Sequence, residues 1–555
     1  MKNRIVYLHY LTLVGAIALG SFLRFSHLGL KPLWMDEVIT AIFSLGKSYN
    51  DVPLNVVFPV RSLVDFFTYR YGNNCSLIAA TVAQHSTHPP LFFCWMYAWL
   101  GWLSPLGENW VVKLRSLPAL FGVGAIVAIY FLNRIAFSPS SGLMAAYVMA
   151  VSPFAVYLSQ EARHYTLPML LITLSLLGLM QIQQDIFSVK VVRVWVWVAW
   201  TIINSIGLYV HYFFVLALVA EIITLFLLIT SHHSIIANIR QIVKALVLSI
   251  SVVVISFLPL LPEIFHHYHR SETDWFSSPN GIIPFFQTFI NWVLMVVAFP
   301  VENQSLPIMI ISGFLMIVFG IWVGYLVFKA LKILLSEPST NLATFTLLSF
   351  SACVLFELFA IIYLFSKDIT VAPRYNFIYY PSFCALIAAS LNQKKHSKLT
   401  VINPKSFFLL VGIFSCICVI SNSVFLKPFQ PEKVAARMNF EPSVPLMMVM
   451  GYSSYQDVAL GLSFALALKQ VRHDSADFVF LDQHPDFSSV WKKLSQLPPP
   501  TTSKLNLWVV GPGIIQHDYP QQIVLSRNIN CNIDPKYHYR IGIPYQLYRC
   551  GNIGN

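Results

Sequence analysis

Apolar residues in this chain come in long unbroken runs separated by short polar stretches, without the one-sided stripe of a surface helix or the strict alternation of a half-buried strand. A helix crossing the roughly 30 Å hydrocarbon layer needs about 20 such residues, because backbone amides inside lipid must bond within their own helix. Runs of this kind lie at 5–23, 117–133, 142–158, 165–181, 194–210, 212–230, 245–262, 306–326, 341–365, 376–391 and 407–425, which predicts about 11 spans. Two further apolar stretches predict external juxtamembrane helices: Leu91 to Leu103, whose Trp and Tyr content suits the headgroup boundary, and Pro284 to Val301. From about residue 430 the character changes. The runs PLMMVM, DFVFLD and LNLWVVG alternate with helical stretches at Ser454 to Leu468 and Phe487 to Leu497, which predicts a small α/β domain over 430–555.

The polar remainder sets the orientation. Lys2 and Arg4 precede the first run with no small-residue cleavage site behind it, so that helix is uncleaved and starts in the cytoplasm. Alternation then places Arg134, Lys190, Arg193, Arg240, Lys244, Lys329, Lys332, Lys394, Lys395, Lys398 and Lys405 inside, against only Asp185 and Glu337. The positive-inside rule requires such an asymmetry. The loop 24–116, the loop 263–305 and the tail then fall outside, on the periplasmic side of an inner membrane. Domain limits follow: a transmembrane domain over 1–429, carrying the 24–116 loop, and an external domain over 430–555.

Composition agrees. With 56% hydrophobic and 11% charged residues, the chain is no ordinary soluble enzyme, which is about 25% charged. The net charge of +12 sits in loops and does not imply nucleic acid. The eight cysteines form no CxxC pair and no zinc spacing. Cys531 and Cys550 flank a Tyr-rich segment in an oxidising compartment and are expected to pair. Cys75 has no evident partner, and Cys94, Cys353, Cys384, Cys416 and Cys418 read as packing residues.

Candidate chemistry gathers at predicted outer ends of helices. The first loop opens with Lys31-Pro32-Leu33-Trp34-Met35-Asp36-Glu37. Adjacent carboxylates repel, which makes one of them a good proton acceptor; the same acids also suit a helix start. His88 heads the interfacial helix in Thr87-His88-Pro89-Pro90, and Gln160, Glu161, Arg163 and His164 occupy a tight external turn. His211 and Arg374 lie at other outer ends, with Tyr209 and Tyr375 beside them. Arginine's planar fork suits phosphate oxygens, although each cation also reads as an interface anchor. Glu221 and Glu357 fall inside spans, where a structural role comes first.

The order of motifs carries more than any one of them. LW-x-DE after the first helix, HPPL about fifty residues on, RSLPALFGV at 115–123, GLMAAYVMAVSPFAVYLSQEARHY at 142–165, GLYVHYFF at 207–214 and PRYNFIYYP at 373–381 together resemble the bacterial relatives of dolichyl-phosphate-mannose protein mannosyltransferases. These are family 39 glycosyltransferases of the GT-C fold, which include the lipid A aminoarabinose transferase. The resemblance covers residues 1 to 425 and not the tail. It implies a membrane enzyme that moves a sugar, with inversion, from a polyprenyl-phosphate donor to an acceptor hydroxyl on a protein, glycolipid or polysaccharide outside the cytoplasm. It implies Asp36 as base with Glu37 in support. His88, Glu161, Arg163, His164, His211, Arg374 and Tyr375 are then the substrate-binding set. The aminoarabinose transferase has lysine where this chain has His88, so the recognised donor group differs. Metal use varies among such enzymes: no ion is expected to be required, and a divalent metal is compatible. The alternative is a polytopic transporter or lipid flippase, which predicts paired repeats with broken helices; the sequence shows none.

Overall fold

The computed structural model describes residues 2–231, 236, 238–268, 278–393, 403–472, 476–500, 502, 504–526 and 529–552. Lys394, Lys395 and Lys398, counted above among the internal cations, lie outside the described residues. The chain forms two compact units, one of Met1–Leu28, Ser86–Phe92 and Arg115–Phe425, the other of Gly29–His85, Phe93–Leu114 and Leu426–Asn555.

The first unit is helical, and every predicted span falls on a helix. Length divides them. Among the described residues seven helices are long and apolar enough to cross a membrane, or eight if the bent pair Pro139–Ala150 and Pro153–Ser159 counts as one span. The predicted spans at 194–210, 376–391 and 407–425 correspond to helices of 17, 12 and 17 residues, which rise only roughly 18 to 26 Å. Eleven full crossings are therefore not what the helix lengths give. Leu91–Trp102 and Ile283–Val296 are short apolar helices too, as expected of the juxtamembrane pair.

The 59° bend in the broken pair has a local cause. Proline disfavours helical geometry in the residue before it, and Ser152 is extended, its hydroxyl capping the new helix by accepting from the Ala155 amide. The bend strands carbonyls at the end of the preceding helix, and buried Arg24 takes them up. Its guanidinium donates to the carbonyls of Met149 (2.8 Å) and Ala150 (3.1 Å). Glu221 is buried among helices, where its carboxylate accepts from the Ser175 hydroxyl and the Trp200 indole, both at 2.6 Å. That is the structural role expected of it.

The second unit is built on a seven-stranded sheet of β1 (Phe58–Pro59), β2 (Leu446–Tyr452), β3 (Ala476–Asp482), β4 (Leu505–Val510), β5 (Gln522–Leu525), β6 (Ile529–Ile541) and β7 (Ile543–Asn552), in the order β1-β3-β2-β4-β7-β6-β5. β2 pairs in parallel with β3 and β4, and the other pairings are antiparallel. The parallel strands read as unbroken apolar runs because both faces are covered. Met447, Val449, Val479, Leu481, Leu507 and Val509 share a core with Val490 and Leu494 of the helix Ser488–Leu494. On the other face Met450 and Phe480 lie so close to the helix Tyr455–Arg472 that a Cβ on Gly461 would sit 2.4 Å from the Phe480 ring.

Two expectations are corrected here. The 24–116 loop does not belong with the helical domain: most of it joins the tail, because the exposed edge of β3 needs a partner. β1 pairs with that edge, and the Asn55 amide donates to the Phe480 carbonyl at 2.9 Å. Cys94 is not a packing cysteine, nor is Cys75 alone; they form a disulfide with a Cα–Cα distance of 5.1 Å. Cys531 and Cys550 face each other across β6 and β7 and are also bonded.

Candidate active site

The first unit brings together residues from four separate stretches of chain. The turn after Pro153–Ser159 is tied down by Gln160, whose side-chain amide donates to the Ser26 carbonyl at 2.9 Å. It then presents Glu161, Arg163, His164 and Tyr165, all buried. The segment Ser86–Phe92 adds His88 and Phe92, the end of helix Val194–Val210 adds His211, and the short turn Pro373–Ile378 adds Arg374, Tyr375 and Phe377.

Three imidazoles form the middle of this cluster. Ring centroids of His88 and His164 are 4.8 Å apart, His164 and His211 4.7 Å, and His88 and His211 6.4 Å. The Arg163 guanidinium lies 5.6 Å over the Tyr165 ring and donates to His88 Nε2 at 3.4 Å, while Arg374 lies 5.5 Å over Tyr375. Tyr165 and Tyr375 meet edge to face at 6.2 Å, and Phe377 packs 5.0 Å from His211. Each guanidinium thus has an aromatic ring within cation–π range.

Burial dominates the electrostatics of the cluster. Burial, followed by His211, His88, Arg163 and Arg374, holds the His164 imidazolium far below the usual histidine range. Burial and then Arg163 hold His211 down to about 3. His164 and His211 are therefore neutral at physiological pH. Neither ring nitrogen of fully buried His164 has a hydrogen-bond partner. Buried polar atoms are ordinarily satisfied, which sets this ring apart from His88 and His211.

Asp36 and Glu37 belong to the second unit. They occupy the first turn of the helix Met35–Ser44, 8% and 1% exposed, where the helix dipole suits acids. The tail fixes their position. Lys427 lies 4.4 Å over the Trp34 ring, and the Ser463 hydroxyl donates to the Leu33 carbonyl at 2.6 Å. The sequence carries a signal for this: Tyr455–Arg472 is buried on nearly every side from Val458 to Leu468, and a helix apolar all round has partners on both faces. Tyr209 is turned elsewhere and donates to the Ser256 carbonyl at 2.6 Å. Tyr165, Phe92 and Phe377, which the sequence reading did not single out, prove to be walls of the cluster. Among the described residues no group of three or more His, Cys, Asp and Glu is placed to hold a metal ion.

Neither a protein-family model nor a curated protein sequence matches the chain. Solved structures do. ArnT from Cupriavidus metallidurans in the apo state is 13% identical over 99% of this chain and 98% of that one, with a TM-score of 0.50. The same protein bound to undecaprenyl phosphate gives 14% identity, the same coverage and a TM-score of 0.49. The oligosaccharyltransferase AglB from Archaeoglobus fulgidus, in complex with an inhibitory peptide and a dolichol-phosphate, gives 13% identity over 85% of this chain and 64% of that one, with a TM-score of 0.44. The apo ArnT likeness runs the length of both chains and is one of fold: this is an integral membrane protein with the GT-C fold that its motifs resemble.

Proposed function

We propose that this chain is an inverting glycosyltransferase that takes a sugar from a polyprenyl-phosphate donor and passes it to an acceptor hydroxyl of a protein, glycolipid or polysaccharide on the periplasmic side of the inner membrane. The observation that carries the reading is the pair of arginines, Arg163 buried and Arg374 half-buried, gathered with three imidazoles in the helical unit. A polyprenyl-phosphate sugar brings one phosphate on an apolar tail, and such a cluster suits that phosphate while apolar helices suit the tail. The fold shared with ArnT supports the reading, since ArnT is seen with undecaprenyl phosphate bound.

Inverting transfer needs few groups. The acceptor oxygen attacks the anomeric carbon, its proton passes to a carboxylate, and the bond from that carbon to phosphate oxygen breaks with its electrons going to the phosphate. Asp36 is the base in this reading and Glu37 its support. Arg163 and Arg374 stabilise the phosphate as its second negative charge develops, a contribution of about 10² to 10³ in rate for a well-placed group. His88, His211 and Tyr375 line the phosphate, and Glu161 shapes the turn that carries Arg163. No metal ion is required by this scheme, and a divalent ion is compatible with it.

The test uses the purified chain and a panel of radiolabelled undecaprenyl-phosphate sugars. Sugar transfer, or slow release to water, is expected for at least one donor and should drop about two decades or more in Asp36→Asn. Unchanged turnover in that variant removes Asp36 as base. No turnover with any lipid-linked sugar, under conditions where the protein binds the lipid, ends the transferase reading.

A further inference from the structure

The helices Thr166–Gln184, Val194–Val210 and Phe214–Ser231 carry a single charged residue among them, Glu221, near the middle of the third. Its carboxylate is fully buried and faces Ser175, Trp200 and Asn204, all neutral. Among the described residues no cation faces it. A bare carboxylate at that depth is costly, so its charge is cancelled by a proton or by a cation that the side chains do not supply.

Hydrogen-bond directions fix which atoms are left over. The Trp200 indole and the Ser175 hydroxyl both donate to Glu221 Oε2. Ser175 has then spent its proton, so it accepts from the Asn204 side-chain nitrogen at 2.8 Å, and the same nitrogen donates to the Trp200 carbonyl at 2.9 Å. Both partners of that nitrogen accept, so the amide cannot be turned round. Asn204 Oδ1 and Glu221 Oε1 remain without a hydrogen-bond partner, and Thr224, one turn further along the same helix face, adds a third such oxygen. All three residues are fully buried. Thr173, Thr201, Thr288 and Thr344 each donate to the carbonyl four residues back; the Thr224 hydroxyl does not.

A proton on Oε1 cancels the charge and makes one hydrogen bond. A cation cancels the same charge and takes lone pairs from all three oxygens, and oxygen is the ligand that hard ions prefer. One carboxylate balances one positive charge, whereas a divalent ion would leave a charge over at that depth. We propose that Glu221, Asn204 and Thr224 form a binding site for a monovalent hard cation of the sodium class, with Ser175 and Trp200 orienting the carboxylate. The site shares no residue with the phosphate cluster and does not rest on the donor reading. It joins three helices, of which one follows the turn that carries Arg163 and another ends at His211.

Thermal unfolding of the full chain, purified in sodium-free buffer and detergent, tests this. The midpoint is followed as sodium chloride replaces N-methylglucamine chloride at fixed ionic strength, which holds screening constant. A rise of about 2 °C or more that saturates with sodium is expected, because an ion bound only by the folded chain stabilises it by mass action. Glu221→Gln keeps the shape and removes the charge, and the response should vanish. Thr224→Val removes one oxygen and should raise the sodium concentration at half-effect about tenfold. A midpoint indifferent to sodium in the native chain overturns the proposal and leaves a proton as the neutralising charge. An undiminished response in Glu221→Gln places the ion elsewhere and overturns the assignment, and an unmoved half-effect in Thr224→Val overturns the three-oxygen set. The native-chain measurement decides even where a variant fails to fold.

Discussion

Replacing Arg163 by alanine is the sharpest probe of the cluster, because one side chain there does three things. The residue is 3% exposed, and its guanidinium lies 5.6 Å over Tyr165 and donates to His88 Nε2. A phosphate charge about 4 Å from a guanidinium gains roughly 4 kcal/mol at an effective dielectric near 20, before desolvation is subtracted. Hydrogen bonds to charged groups net about 1.5–3 kcal/mol, so a loss near 2 kcal/mol, or roughly 30-fold in affinity for undecaprenyl phosphate, is expected. A second consequence separates lost charge from general damage. His211 is held at about 3 by burial and then by Arg163; with the arginine gone its value rises, while burial still holds it below the usual histidine range. Arg163→Lys keeps the charge but not the planar stack and should fall between the two. The assay is calorimetric or thermal-shift titration of the detergent-purified protein over pH 5 to 9. Native affinity in Arg163→Ala refutes the placement of phosphate at this cluster.

Other outcomes follow from the packing. Cys75→Ser opens a disulfide that closes a 19-residue separation, at a cost of about 3 kcal/mol on the loop-entropy estimate, read as a lowered midpoint in denaturant; an unchanged midpoint argues the bridge is not formed. Arg24→Ala leaves the Met149 and Ala150 carbonyls without their donor and should cost roughly 3 kcal/mol or more, with detergent-solubilised half-life as the measure. Gly461→Ala pushes a methyl toward the Phe480 ring and should cost about 1–3 kcal/mol by overpacking; binding of undecaprenyl phosphate is expected to survive, because the phosphate cluster lies in the other unit.

The residues on which the site rests were legible as types and not as neighbours. His88, Arg163, His164, His211 and Arg374 stood out because a polar group at the end of an apolar run is costly to place, and the run positions follow from chain-local hydropathy. Tyr165, Phe92 and Phe377 did not stand out, since an aromatic residue in an apolar stretch looks the same whether it meets lipid, core or a guanidinium.

Linear sequence by itself determined that the chain lies in a membrane and that its tail forms an α/β sheet. Lipid leaves the backbone no partner but its own helix, and a parallel strand buried on both faces must be apolar throughout. Tertiary structure alone decided that stretches near 88, 163, 211 and 374 share one cluster, that 58–59 closes the edge of β3, and that Cys75 finds Cys94. Periodicity records how far each residue is from water, and it holds no term for which distant residue lies on the other side.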